Sequence, residues 1–251
     1  MMAMEPGMIL DRDLTPELLD VALRIANDPT AWRDKRKLLT VTLRDFVSAQ
    51  EAQGKTKKCL TRVWINPPPT AREMVSWGRE HFQLAHDRRI IHLGALLATF
   101  PFVGAVTATV GRFLALEGEA DPIAVRRKIQ ARWGDRSSID VGARKAYTTL
   151  LRMGVLTGGN RSPLRAGEVL AADGEVASWL VHALLLARGV SSLDEDLLRT
   201  APELFWVNLG RPSPTYPFLE RHTEGLRRAV WVPTISDRSN DGKESSSARE
   251  E

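Results

Sequence analysis

Apolar positions recur every three to four residues along most of the chain, and this spacing predicts a succession of helices. Thr15-Pro16-Glu17 is a helix start: threonine caps, proline suits the first turn, and glutamate suits the positive end of the dipole. Leu18, Leu19, Val21, Ala22 and Ile25 then form one apolar face, which Asp28-Pro29 interrupts. A second helix is expected from Ala31 to about Gln53, with Trp32, Leu39, Leu43, Phe46 and Val47 near one side and Gly54 as its stop. Next, Thr56 caps a short helix containing Leu60, Val63 and Trp64, unless Leu60 to Ile65 is a strand; the run is too short for periodicity to decide. Pro67, Pro68 and Pro69 stop either one, and Thr70 to Glu73 is spaced as a capping box for a helix running toward Asp87.

The middle of the chain is its most apolar part. Ile90 to Gly111 runs for 22 residues with His92 as the one titratable side chain, long enough to cross a bilayer. Its three glycines, its threonines and Pro101 fit two short buried helices better, roughly 90–99 and 102–116. A membrane anchor at 90–111 is the minor alternative. Glu117 to Ala120 is expected as an exposed acidic connection.

Asp121-Pro122 then starts a helix whose inner stripe is Val125, Ile129 and Trp133, and Gly134-Asp135-Arg136 is the turn after it. Ser137 caps the next helix, with Asp140 able to reach back to its backbone. Ile139, Ala143, Ala146, Leu150 and Met153 converge on one face; Arg144, Lys145, Thr148 and Arg152, with Val141 among them, converge on the other. Gly154 ends the helix, Val155 to Thr157 reads as a strand, and Gly158-Gly159-Asn160-Arg161 as a turn. Pro163 cannot donate in the returning strand, so that hairpin is short or irregular. Glu175 to Arg188 is apolar almost all round and therefore buried, and Ser192 with Glu195 opens another helix.

The expected fold is mainly α: a helical N-terminal unit (1–88, with a helix-turn-helix as one reading), then apolar helices and a winged helix with a short β-hairpin wing (89–210). A connector stiffened by Pro212, Pro214 and Pro217 (211–235) and a disordered tail (236–251) follow.

Charge sharpens this picture. Residues 122–165 hold ten Lys/Arg and two carboxylates, a local +8 in a chain of formal net +4, so the rest sums to −4. Such a concentration on a compact helical motif is the footprint of nucleic-acid binding. Arg144, Lys145, Thr148 and Arg152 are expected to face a groove. Arg126, Arg127, Lys128, Arg132 and Arg136 are expected to hold phosphates and Arg161 to act from the wing, with Ser138 a further DNA-binding residue. Lys55, Lys57, Lys58 and Arg62, preceded by Lys35, Arg36 and Lys37, form a second basic cluster on the N-terminal unit, expected as a second DNA-contacting element unless it is a solvated helix face.

The stretch ARKAYTTLLRMGVLTGG resembles the recognition helix and wing entry of winged-helix proteins, across roughly residues 121–170. This resemblance implies a three-helix core with a hairpin, and major-groove docking of the second helix. The order of elements over roughly 15–210 is similar to the BrxA family of bacterial phage-exclusion (BREX) systems. That family implies a non-enzymatic DNA-binding component of a phage-defence locus, in company with other subunits of a defence complex.

Other chemistry finds little purchase. The five histidines form no metal-binding spacing, and neither a phosphate loop nor a nucleophile elbow occurs. Cys59 alone excludes an intrachain disulfide and fits a reducing cytoplasm; Lys57 and Lys58 beside it could lower its pKa, but no base accompanies it. The seven tryptophans read mostly as core, not as a base-stacking platform. The sequence thus predicts a cytoplasmic, cofactor-free, non-enzymatic protein that binds double-stranded DNA with low sequence specificity. Its alternative is an interaction subunit that docks an acidic protein partner through the same basic face.

Overall fold

The computed structural model describes residues 9–159, 161–224 and 228–234. Ten α-helices and three small sheets follow one another among them. The first helix, α1 (Pro16–Asn27), begins as its sequence dictates, with Thr15 accepting from the Leu18 N–H. It buries Leu18, Leu19, Val21 and Ile25.

The single long helix expected from 31 to 53 is two. Helix α2 (Trp32–Thr42) closes in a tight turn at Leu43–Asp45, and α3 (Gln50–Leu60) starts afresh. The Thr40 and Thr42 hydroxyls donate back to the carbonyls of Arg36 and Leu38 (2.7 and 3.0 Å), bonds that bend helices. The Gln53 side chain then donates to the Val47 carbonyl at 2.6 Å and fastens the loop between them. Gly54 is interior to α3 rather than its stop, and Thr56 is a buried residue of the same helix rather than a cap. Trp32 and Phe46, expected on the inner side, are about half exposed (50% and 48%). Residues 60–65 are not a strand: α3 runs on as a widened turn, Thr61–Ile65, burying Val63, Trp64 and Ile65. The capping box at Thr70 is not formed, because a short turn at Pro69–Ala71 precedes α4 (Arg72–Glu80), which ends well before Asp87.

The apolar stretch folds as expected into α5 (Arg88–Thr99) and α6 (Pro101–Glu117), bent by 114° about Phe100, where proline forbids continuation. Among the described residues no single helix is long and apolar enough to cross a membrane. What covers these helices is α9 (Gly174–Arg188), which buries Trp179 against α5. A Cβ on Gly94 would stand 2.1 Å from the Trp179 ring, so glycine there is a packing requirement. His92 is buried on α5 with Nε2 3.1 Å from an Asp20 carboxylate oxygen of α1; that bond is the first cause holding the Asp20 carboxyl below its ordinary range.

After α6 come α7 (Pro122–Trp133), α8 (Ser137–Arg152) and the antiparallel hairpin β1–β2 (Leu156–Gly159, Ser162–Ala166). The remaining strands form two further small sheets. Strand β3 (Leu170–Asp173) pairs in parallel with β5 (Val207–Pro212), and β4 (Leu193–Asp194), β7 (Arg228–Pro233) and β6 (Leu219–Glu224) form a three-stranded sheet in that order. Ser192 caps no helix; Asp194 does so for α10 (Glu195–Leu198), accepting from the Asp196 N–H at 3.0 Å. The proline-rich connector lies fastened along α9: Ser178 Oγ donates to the Ser213 carbonyl (2.8 Å), and Tyr216 is buried with its hydroxyl 3.0 Å from His182 Nδ1. Burial pushes the His182 pKa down to about 4, so it stays neutral at physiological pH. The tail expected at 236–251 lies outside the described residues.

Candidate nucleic-acid interface

Helix α7 is set by local chemistry at both ends. Asp121 accepts from the N–H groups of Ile123 and Ala124 (3.0 and 3.3 Å), Pro122 takes the first position, and Gly134 (φ +100°) ends the helix in a conformation open to glycine. Val125 and Ile129 are buried, and Trp133 is half-buried, meeting Phe102 of α6 edge-on at 5.1 Å. The inner face of α8 is the one expected: Ile139, Ala143, Ala146 and Leu150 are buried. Its start differs, because Arg136 precedes the helix without a side-chain cap, and Asp140 turns to Arg126 of α7 instead (2.7 Å).

The hairpin follows directly. Leu156 pairs with Ala166, Thr157 with Arg165 and Gly159 with Ser162, and the register slips between Thr157 and Gly159, close to Pro163. Gly158 holds φ +101°, and a Cβ there would meet the Pro163 carbonyl oxygen at 2.1 Å. Gly158→Ala should therefore loosen the hairpin alone, at about 1–2 kcal/mol; faster amide exchange confined to 156–166 is the expected result. The connection before α7 is more than an exposed acidic loop. Ala120 is buried and exchanges two backbone hydrogen bonds with Leu164 (2.8 and 2.9 Å), so it lines the hairpin as a third short strand would.

The ten cations of this segment divide into two groups. Arg127, Lys128, Arg132, Arg136, Arg144 and Arg161 are exposed and form no ion pair with a described residue. Ser138 is exposed beside them, and Thr148 is half-buried. Four others have carboxylate partners. Arg126 lies against Asp140 and Tyr147, whose attraction outweighs desolvation and raises its pKa. Arg165 binds Glu119 at 2.6 Å, and exposed Arg152 stands 3.9 Å from Asp13.

Lys145 is the clearest departure. The helical wheel sets it among the groove-facing residues, but its Nζ lies 2.6 Å from an Asp13 carboxylate oxygen, both side chains only 24% exposed. Asp13, just ahead of α1, comes from the far end of the chain, which no local periodicity can reveal. Burial acts to raise the Asp13 pKa, but the hydrogen bond and charge of Lys145 outweigh it, and the net shift is downward. A folded-state pKa depressed in this way contributes stability above the unfolded carboxyl value, lost as pH falls through the folded one. Lys145→Met should thus destabilise the fold by about 1–2 kcal/mol at neutral pH, partly screened by solvent, and flatten the acid limb of its thermal stability.

The cations of the N-terminal cluster are engaged to different degrees. Lys55 pairs with Glu51, and Lys58 stands 4.0 Å from Asp11. Arg62 is structural rather than a phosphate ligand: its Nε donates to the Thr99 carbonyl at 2.8 Å and its guanidinium sits 5.3 Å from the Phe100 ring, bracing the α5–α6 bend. Lys57 is half-buried in a groove beside α2. The Cys59 thiol is buried and pushed up to about 11 by desolvation, the reverse of the lowering expected from its lysines. Among the described residues no group of three or more His, Cys, Asp or Glu is placed to hold a metal ion. Comparison with protein-family models, curated proteins and solved structures finds no match to this chain.

Proposed function

We propose that the protein binds double-stranded DNA through α7, α8 and the β1–β2 hairpin, acting by binding rather than by catalysis. In this reading α6, α7 and α8 form the three-helix core of a winged helix, with Ala120 and the hairpin as its wing. Helix α8 enters the major groove, and α7 and the hairpin tip hold the flanking phosphates.

One observation carries the proposal: six exposed cations on these elements have no carboxylate partner among the described residues. Both carboxylates within the segment are already engaged, Asp140 by Arg126 and Asp135 by the Gln130 amide at 3.1 Å. A surface charged only for solubility interleaves both signs; this one leaves positive charge unopposed. Arginines dominate it, which suits phosphate and guanine edges alike. The phosphate contacts outnumber the groove-facing residues Arg144 and Thr148, so affinity exceeds sequence discrimination.

The test is fluorescence anisotropy against a labelled random duplex of about 30 base pairs, titrated from about 50 to 300 mM salt. Five phosphate contacts, Arg127, Lys128, Arg132, Arg136 and Arg161, give a slope of log affinity on log salt of about −4.5. Absence of duplex binding at the lowest salt, with capture of an acidic protein instead, would replace DNA by a protein partner.

A further inference from the structure

The N-terminal unit carries a feature that the basic block does not explain. Trp32, at the start of α2, is 50% exposed, although large aromatic side chains are normally covered. The Arg36 guanidinium lies 5.4 Å from the centroid of its ring, one helical turn on. Between them and α3 runs a groove of about 590 Å³, walled by Trp32, Arg33, Arg36 and Val41 and closed by Lys57. A second depression of about 300 Å³ adjoins it, sharing Arg36 and Lys57 and leading over Gly54 toward Lys58 and Asn66. A Cβ on Gly54 would meet nothing within 4 Å, so the path is open there.

The charges around this path are of one sign. No carboxylate lines either depression among the described residues. Arg33, Arg36 and Lys57 have no ion pair with a described residue; Lys37, at the rim, pairs with Asp34 at 3.3 Å. An exposed indole already backed by a guanidinium, in a channel lined by unopposed cations, is the pattern that binds a flexible polyanion whose units each carry a π-face. The tryptophan that the sequence assigned to the core is thus the one placed beside basic residues on the surface.

We propose that this groove binds single-stranded DNA, with an unpaired base stacked on Trp32 and the adjoining phosphates on Arg33, Arg36 and Lys57. A duplex does not fit this role, since its bases are already stacked on one another and cannot present a face to Trp32. The site is separate from the α7–α8 face, and the two proposals fail separately.

The experiment is anisotropy of the full chain with a labelled oligothymidylate of about 15 nucleotides, beside the matching oligouridylate and a duplex. Trp32→Ala should weaken oligothymidylate binding about tenfold or more, Trp32→Phe should keep most of it, and duplex binding should be unchanged in both. Arg33→Ala/Lys57→Ala should lower the salt slope by about 1.4, at about 0.7 for each phosphate contact of a single strand. Since all these side chains reach solvent, circular dichroism should match the wild type. Trp32→Ala binding the oligothymidylate as tightly as the wild type would overturn the proposal. So would loss of that binding on neutralising the α7–α8 cations, and so would a clear preference for the oligouridylate.

Discussion

Replacing Arg127, Lys128 and Arg144 together with alanine should abolish most duplex binding while leaving the fold intact. The three side chains project into solvent from α7 and α8 and have no ion pair with a described residue, so their removal breaks nothing inside. At about 0.1 M salt the loss should be about a hundredfold, because a groove arginine contributes about 1–3 kcal/mol and each phosphate contact adds its released counterion. The slope on log salt should fall from about −4.5 to about −2.7, the share of the two phosphate contacts Arg127 and Lys128. Equal affinity with an unchanged slope would remove the proposed face from consideration. Lys145→Met is the informative contrast: it neutralises a cation on the same helix, yet its effect should fall on stability, because Asp13 holds that charge.

The largest expected loss of stability follows from Trp179→Ala. This indole is fully buried, donates to the Met74 carbonyl at 2.9 Å, and lies within van der Waals distance of where any Cβ on Gly78 or Gly94 would stand. It locks α4, α5 and α9 together, so its removal leaves a cavity lined by three helices and takes one donor from the Met74 carbonyl. About 3–5 kcal/mol should be lost, a large part of the usual 5–15 kcal/mol of a domain. Gly94→Ala probes the same contact from the other side: its methyl would stand 2.1 Å from the ring, an overpacking of about 1–3 kcal/mol or more. Chemical denaturation read by tryptophan fluorescence measures both. Variants as stable as the wild type would mean that α9 is not what covers the apolar helices.

Where local signals agreed with tertiary packing, the elements were legible before the structure. Asp121-Pro122, the stripes of α7 and α8, the Pro101 break and the apolar circumference of α9 each name their element without help from elsewhere. The α2–α3 break was hidden because threonine back-bonding and the Gln53 tether leave no punctuation as clear as proline or glycine. The sheet of β4, β7 and β6 was hidden for another reason: β4 is two residues long, and its partner lies some forty residues away. Too little chain is present in β4 for alternation to show.

For the candidate site, the sequence located the charge but could not say which charges are free. Arg126 and Lys145 look as available as Arg127 and Arg144 in a helical wheel. Only the fold brings Asp140 to the first and Asp13 to the second. Trp32 shows the same limit reversed: a tryptophan on an amphipathic helix reads as core, yet it stands at the first residue of α2 with half its surface exposed.

The most direct measurement of the central claim is amide chemical-shift mapping of the labelled full chain on adding a short duplex. Binding as proposed moves resonances on the exposed face of α7, along α8 at Arg144 and Thr148, and at the hairpin around Arg161, with α9 and the sheet of β4, β7 and β6 unmoved. Shifts confined to that sheet or to α2 and α3, with α7, α8 and the hairpin silent, would contradict it.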